Sequence, residues 1–116
     1  MAALDDGGPV GDESGFDNLT VDVTVESGDI SVVRVAGEID VATADSVRAA
    51  IAATMDHRPT RLVIDMESVS FMDSSGIAVL LEAAQRADSV VIRRPSNAVR
   101  RVIETTGLSE VLPIGE

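Results

Sequence analysis

Phe71-Met72-Asp73-Ser74-Ser75-Gly76-Ile77-Ala78-Val79-Leu80-Leu81 starts as the end of an apolar run and finishes as an amphipathic helix. Four small, polar or flexible residues, Asp73-Ser74-Ser75-Gly76, separate the two regimes. Ile77, Leu80, Leu81 and Ala84 fall at i, i+3, i+4 and i+7, which is one buried helical face. A serine oxygen can accept a bond from a free N–H of a first helical turn, so Ser74 or Ser75 is the expected N-cap. Two adjacent hydroxyls are thus presented where a helix begins, with the positive end of its dipole behind them. A phosphate would be well placed there, because helix N-termini bind anions.

Upstream of this junction, Leu19-Thr20-Val21-Asp22-Val23-Thr24-Val25-Glu26 alternates apolar and polar residues, the pattern of a half-buried strand. Ser27-Gly28-Asp29 reads as a turn and Ile30 to Gly37 as a second strand, so the two make a hairpin. Glu38-Ile39-Asp40-Val41-Ala42 leads into a helix with Thr43 as N-cap and Asp45 in its first turn. Val47, Ile51 and Met55 are spaced by four, and the helix is expected to end near Asp56, before Pro59. Arg61 to Met66 is a third strand whose continuous apolar centre predicts cover on both faces.

Downstream, the helix runs from about Ser75 to Ala87 and Ser89 to Arg93 is a short fourth strand. Ser96 is placed to cap a last full helix with Val99, Val102 and Ile103 inward, and Gly107-Leu108 predicts a Schellman-type end. Leu112-Pro113-Ile114 can add a final edge strand. Strand and helix alternate after the hairpin, which predicts crossovers and a largely parallel sheet.

With 116 residues the chain supports one domain. Residues 1–18, with five acids and four glycines, read as a flexible acidic tail, and 19–116 as the folded domain. Having no cysteine, the chain has no disulfide or thiolate metal site. No apolar run approaches a membrane span and the start lacks the pattern of a signal peptide, so a cytoplasmic location is expected. A net charge of −11 argues against direct nucleic-acid binding.

A serine hydrolase is disfavoured. Ser74 lacks the glycine two residues before it that a nucleophile elbow requires, and the one histidine, His57, sits in a polar loop. The acids of the tail lack calcium-loop spacing, and no glycine-rich phosphate loop joins a strand to a helix. Neither a catalytic residue, a metal nor a cofactor is expected. The four arginines Arg93, Arg94, Arg100 and Arg101 read as a solvated helix start, or as a surface for an acidic partner or a phosphate.

Three segments in this order resemble bacterial anti-sigma factor antagonists, which are single STAS domains. They are Gly37-Glu38-Ile39-Asp40, Phe71-Met72-Asp73-Ser74-Ser75-Gly76, and Pro95-Ser96-Asn97-Ala98-Val99-Arg100-Arg101, within a match from about Leu19 to about Leu112. The resemblance implies an α/β fold: a mixed sheet of four to five strands, a hairpin followed by parallel crossovers, under about three to four helices. The family usually has another C-terminal helix, expected here to be shortened or absent. A non-enzymatic regulator is implied. Its unphosphorylated form binds an anti-sigma factor that is also a serine kinase of ATPase fold, and so frees a sigma factor. Phosphorylation at Ser74 ends that binding, and a protein phosphatase restores it. The implied partner-binding residues are Glu38, Asp40, Asp73, Ser75 and Gly76. Alternatives are a STAS module of another signalling complex, such as a stressosome-like scaffold or a transporter regulator, and a nucleotide or small-ligand binder.

Overall fold

The structure, a computed structural model, describes residues 19–115. The tail expected at residues 1–18 lies outside the described residues. The chain runs β1 (Leu19–Glu26), β2 (Ile30–Ile39), α1 (Ala44–Met55), β3 (Arg61–Met72), α2 (Ser74–Arg86), β4 (Val90–Arg93), α3 (Asn97–Thr105) and β5 (Ile114–Gly115). The strands form one sheet in chain order. β1 and β2 are antiparallel, and each later neighbour is parallel and reached through a helix. A mixed α/β sheet under three helices is therefore present, including the extra strand near Ile114.

Pairing register sorts side chains between two faces, because residues opposite one another on neighbouring strands point the same way. Val33, Ile64 and Ile92 form one rung, with Leu62 and Val90 beside it. These residues enter the main core with Val47 and Ile51 of α1, Ile77, Leu80 and Ala83 of α2, and Val99 and Ile103 of α3. The next rung, Arg34, Asp65 and Arg93, points to the other face. Leu62 to Met66 are all buried, so β3 is covered on both sides, as its apolar run predicts.

Ser96 caps α3, its Oγ accepting from the Val99 N–H at 3.2 Å. The end of α3 is a Schellman motif: Leu108 N–H donates to the Ile103 carbonyl and Gly107 N–H to that of Glu104, both at 3.1 Å.

Three expectations need correction. β3 does not stop at Met66 but continues to Met72, pairing Ala36 to Ile39 of β2 across two register shifts. The polar run Glu67-Ser68 hides this extension, and the irregularity passes through Gly37, whose φ of +113° only glycine adopts without strain. β1 is half-buried only at Leu19 and Val21; Val23 and Val25 are 47% and 64% exposed. The buried face of α2 is wider than one stripe and includes Val79 and Ala83, because α2 packs on α1 as well as on the sheet.

Candidate functional site

The site begins where β2 and β3 end together. Glu38 pairs with Phe71 and Ile39 with Met72, so Asp40 and Asp73 leave the same end of the sheet side by side. The Asp73 N–H donates to the Ile39 carbonyl at 3.2 Å, tying the two exits by backbone.

Asp73, not a serine, is the N-cap of α2. Its backbone is extended and its Oδ1 accepts from the Ser75 N–H at 2.8 Å. The physical reason is the length of β3: the strand holds φ and ψ in the extended region through Met72, so the first residue free to cap is Asp73. Ser74 becomes the first helical residue and is exposed, while Ser75 is half-buried. Ser74 therefore keeps its side chain at the surface at the positive end of the α2 dipole.

Asp40 closes the facing turn. Its Oδ1 accepts from the N–H groups of Ala42 at 3.0 Å and Thr43 at 3.1 Å. Thr43 stands at the N-cap position of α1 but makes no side-chain bond into that helix. Its hydroxyl instead accepts from the Asp40 N–H at 2.9 Å and donates to the Glu38 carbonyl at 2.7 Å. This buried threonine knots the Glu38–Asp40 loop, a task not read from the sequence, where the spacing Asp-x-x-Thr was its signal.

Gly76 is buried. A Cβ built there would lie 2.4 Å from Met72 Cγ, 2.8 Å from Met72 Sδ and 3.0 Å from Ile39 Cγ2. Its role is to let the first turn of α2 settle onto the strand ends. Among the candidate residues, Glu38 and Ser74 are exposed, and Asp40, Asp73 and Ser75 are half-buried. Two exposed apolar side chains border them: Val41 at 82% and Phe71 at 47%. Sequence periodicity passed over both.

The four arginines do not form one patch. Arg93 pairs with Glu26 at 3.3 Å; Arg94 binds Asp65 and pairs with Glu67 at 3.4 Å. Arg34 approaches Asp65 at 3.6 Å. Arg100 and Arg101 remain exposed on α3. Asp65 is 1% exposed. Burial pushes its carboxyl up, but the Arg94 hydrogen bond, the Glu67 N–H and the charges of Arg94 and Arg34 outweigh this and hold it below the usual carboxylate range.

Open cavities of about 310 Å³, beside Arg61, Val63, Val91, Arg93 and Gly115, and about 280 Å³, beside Met55, Arg58, Pro59, Arg86 and Asp88, involve none of Glu38, Asp40, Asp73, Ser74, Ser75 and Gly76. Among the described residues no group of three or more His, Cys, Asp or Glu side chains could hold a metal ion, and no helix is long and apolar enough to cross a membrane.

A family model for the STAS domain matches residues 23–116. The anti-sigma-B factor antagonist of Listeria monocytogenes is 34% identical over 101 residues, which cover 84% of this chain and 89% of that protein. This chain is a STAS domain of the anti-sigma factor antagonist family. The crystal structure of an anti-sigma factor antagonist from Mycobacterium paratuberculosis superimposes with a TM-score of 0.79 at 34% identity, covering 88% of this chain and 89% of that one. The Bacillus cell fate determinant SpoIIAA, solved in a phosphorylated form, gives a TM-score of 0.65 at 24% identity, covering 84% and 92%; that likeness bears on the fold alone. The STAS domain is thus built so that its strand-to-helix turn, Asp73-Ser74-Ser75-Gly76, stands beside the Glu38–Asp40 loop at one end of the sheet.

Proposed function

We propose that this anti-sigma factor antagonist is a partner switch with Ser74 as its phosphoacceptor. The unphosphorylated form binds an anti-sigma factor, itself a serine kinase of ATPase fold, and frees a sigma factor. The kinase phosphorylates Ser74, the complex parts, and a protein phosphatase resets it. The observation that carries this reading is the exposed Ser74 at the first position of α2, in a turn bordered by Glu38, Asp40 and Asp73. ATP and its magnesium belong to the kinase.

The chemistry of the switch follows from charge. Phosphate adds about −1.5 to −2 charges. The α2 dipole favours that charge, so the domain tolerates it. A partner packed over Ser74, Glu38 and Asp40 would instead bury a dianion beside carboxylates. The Asp73 carboxylate already holds the Ser75 N–H, and the ion-paired arginines Arg93 and Arg94 are on the rung facing away from the core or next to it. Burying such a charge without a partner costs at least several kcal/mol, and each ~1.4 kcal/mol is a tenfold loss of affinity. Val41 and Phe71 supply apolar contact for the unmodified state.

The test is a pair of baits, Ser74→Ala and Ser74→Glu, offered to lysate of the native host, followed by ATP and magnesium with the captured protein. The expected result is capture of one ATPase-fold kinase by Ser74→Ala but not by Ser74→Glu, with transfer of phosphate to the unmutated chain and unchanged circular dichroism after transfer. Equal capture by both baits would make Ser74 a helix residue without a switching role.

A further inference from the structure

The two strand exits at the Ser74 end repeat one another bond for bond. Asp40 Oδ1 accepts from the Ala42 N–H, two residues on, at 3.0 Å, and Asp73 Oδ1 accepts from the Ser75 N–H, also two residues on, at 2.8 Å. The Asp40 carbonyl takes the N–H groups of Thr43 at 3.1 Å and Ala44 at 2.8 Å; the Asp73 carbonyl takes those of Gly76 at 3.0 Å and Ile77 at 3.3 Å. Ile39 pairs with Met72, so the two turns leave neighbouring parallel strands in step. Val41 therefore holds, in the turn that leads into α1, the place that Ser74 holds at the start of α2. A strand spacing of about 4.8 Å sets the two turns side by side. Val41 is 82% exposed, the most exposed large apolar side chain among the described residues.

We propose that Val41 is the specificity residue for phosphorylation of Ser74: its side chain enters an apolar socket that the kinase carries beside its phosphoryl donor. The inference rests on the partner-switch reading of Ser74 and names the chemistry of that partner's surface. Single exposed valines are ordinary. This one differs in how it is held. Thr43, 3% exposed, fixes the turn by accepting from the Asp40 N–H at 2.9 Å and donating to the Glu38 carbonyl at 2.7 Å. A β-branched side chain is stiff at χ1. A fixed turn and a stiff side chain lose little freedom on contact, so burial of Val41 stabilises a complex at small entropic cost. The other residues of the two turns that reach solvent, Asp40, Asp73, Ser74 and Ser75, are polar, apart from the single methyl of Ala42. Phe71 lies further back, paired with Glu38, so Val41 is the large apolar group level with the phosphoacceptor. The recognised surface then joins two segments that α1 and β3 separate in the chain. Selection is for the folded pair of turns and not for the residues next to Ser74 in sequence.

A competition assay on the full chain tests this. Parent and a Val41 variant, mixed in equal amounts, are incubated with lysate of the native host, ATP and magnesium. Mass spectrometry reads the phosphate on Ser74 of each chain over the initial phase. Both chains meet the same kinase, so the ratio of the two signals is the ratio of their kcat/KM values at any kinase concentration. Val41→Thr keeps the shape and adds a hydroxyl, and should fall behind the parent at least about 10-fold. Val41→Ile keeps the apolar character and should stay within about 3-fold. Urea midpoints of both variants should match the parent, because the position is exposed, which separates recognition from folding. Val41→Thr keeping pace with the parent overturns the proposal and leaves the partner switch standing, as does Val41→Ile falling as far as Val41→Thr. A parent chain that gains no phosphate on Ser74 overturns both.

Discussion

Replacing Gly76 with alanine sets two effects of opposite sign against each other. Gly76 has an ordinary helical backbone, since it is absent from the positive-φ glycines, so helix propensity alone makes alanine better by up to about 1 kcal/mol. Against this, the new methyl would lie 2.4 Å from Met72 Cγ and 2.8 Å from its Sδ, with Ile39 Cγ2 at 3.0 Å on another side. Met72 and Ile39 are 4% and 1% exposed, so neither can swing into solvent. Overpacking of this kind costs about 1–3 kcal/mol. The net expectation is a destabilisation of about 1–2 kcal/mol, or a fall in Tm of about 4–8 °C for each kcal/mol in a domain of this size. Urea unfolding gives the value. A second variant isolates the cause. Met72→Ala alone should cost about 2–5 kcal/mol by opening a cavity, but beside Gly76→Ala that cavity receives the methyl. The double mutant should then be more stable than the sum of the singles by at least about 1 kcal/mol. A Gly76→Ala protein as stable as the parent, or strict additivity with Met72→Ala, would refute the idea that close approach of α2 to the strand ends fixes glycine here.

Two further outcomes follow from the same geometry. Asp73→Ala removes the acceptor for the Ser75 N–H and should cost about 0.5–2 kcal/mol in urea unfolding, with Asp73→Asn recovering most of it; equal losses in both would show that the cap is not the cause. Asp65, held below its ordinary range, is protonated more readily in the unfolded chain, so its stabilisation is complete above about pH 4 and is lost as pH falls through the folded value. Thermal melts should therefore show a steeper acid loss in the parent than in Asp65→Asn, and parallel curves would exclude this carboxylate as a source of acid sensitivity.

Most of the fold was legible because its signals are local. The alternation from Leu19 to Glu26, the Ser27-Gly28-Asp29 turn and the spacing of Val47 and Ile51 each report a neighbour two to four residues away. What escaped depended on partners far along the chain. The N-cap of α2 could have been any of three polar residues in a row. The choice was made by β2, whose Ile39 carbonyl takes the Asp73 N–H and holds it extended. The extension of β3 through Glu67-Ser68 is set by pairing with Ala36–Ile39, not by composition. Asp65 lay unremarked within the strand from Arg61 to Met66; its partners come from β2 and from the turn after β4. Arg93 and Arg94 looked like a surface patch for the same reason. Of the candidate residues, Gly76 is the one whose packing the sequence did not disclose: a Cβ there would meet Met72 and Ile39.

The distribution of charge bears on why Ser74 suits the role proposed for it. Arg34, Arg93 and Arg94 all pair with acids within the domain, and Arg48 is held by Glu82 and Asp45 between α1 and α2. The acids at the Ser74 end are arranged differently. Asp40 and Asp73 bind backbone N–H groups of their own turns, bonds that fix the turns without cancelling the carboxylate charge. Carboxylates held in this way keep the turn rigid and its surface negative. Unit charges about 6 Å apart in water repel by roughly 0.7 kcal/mol, so a phosphate dianion facing two carboxylates at such a separation would meet roughly 3 kcal/mol before screening, which stays below a domain stability of about 5–15 kcal/mol. The same pair within a dry interface would be several-fold more repulsive. A single modification at Ser74 would therefore leave the domain folded while acting strongly on whatever covers it, and the rigidity of the turns is what confines the effect to that surface.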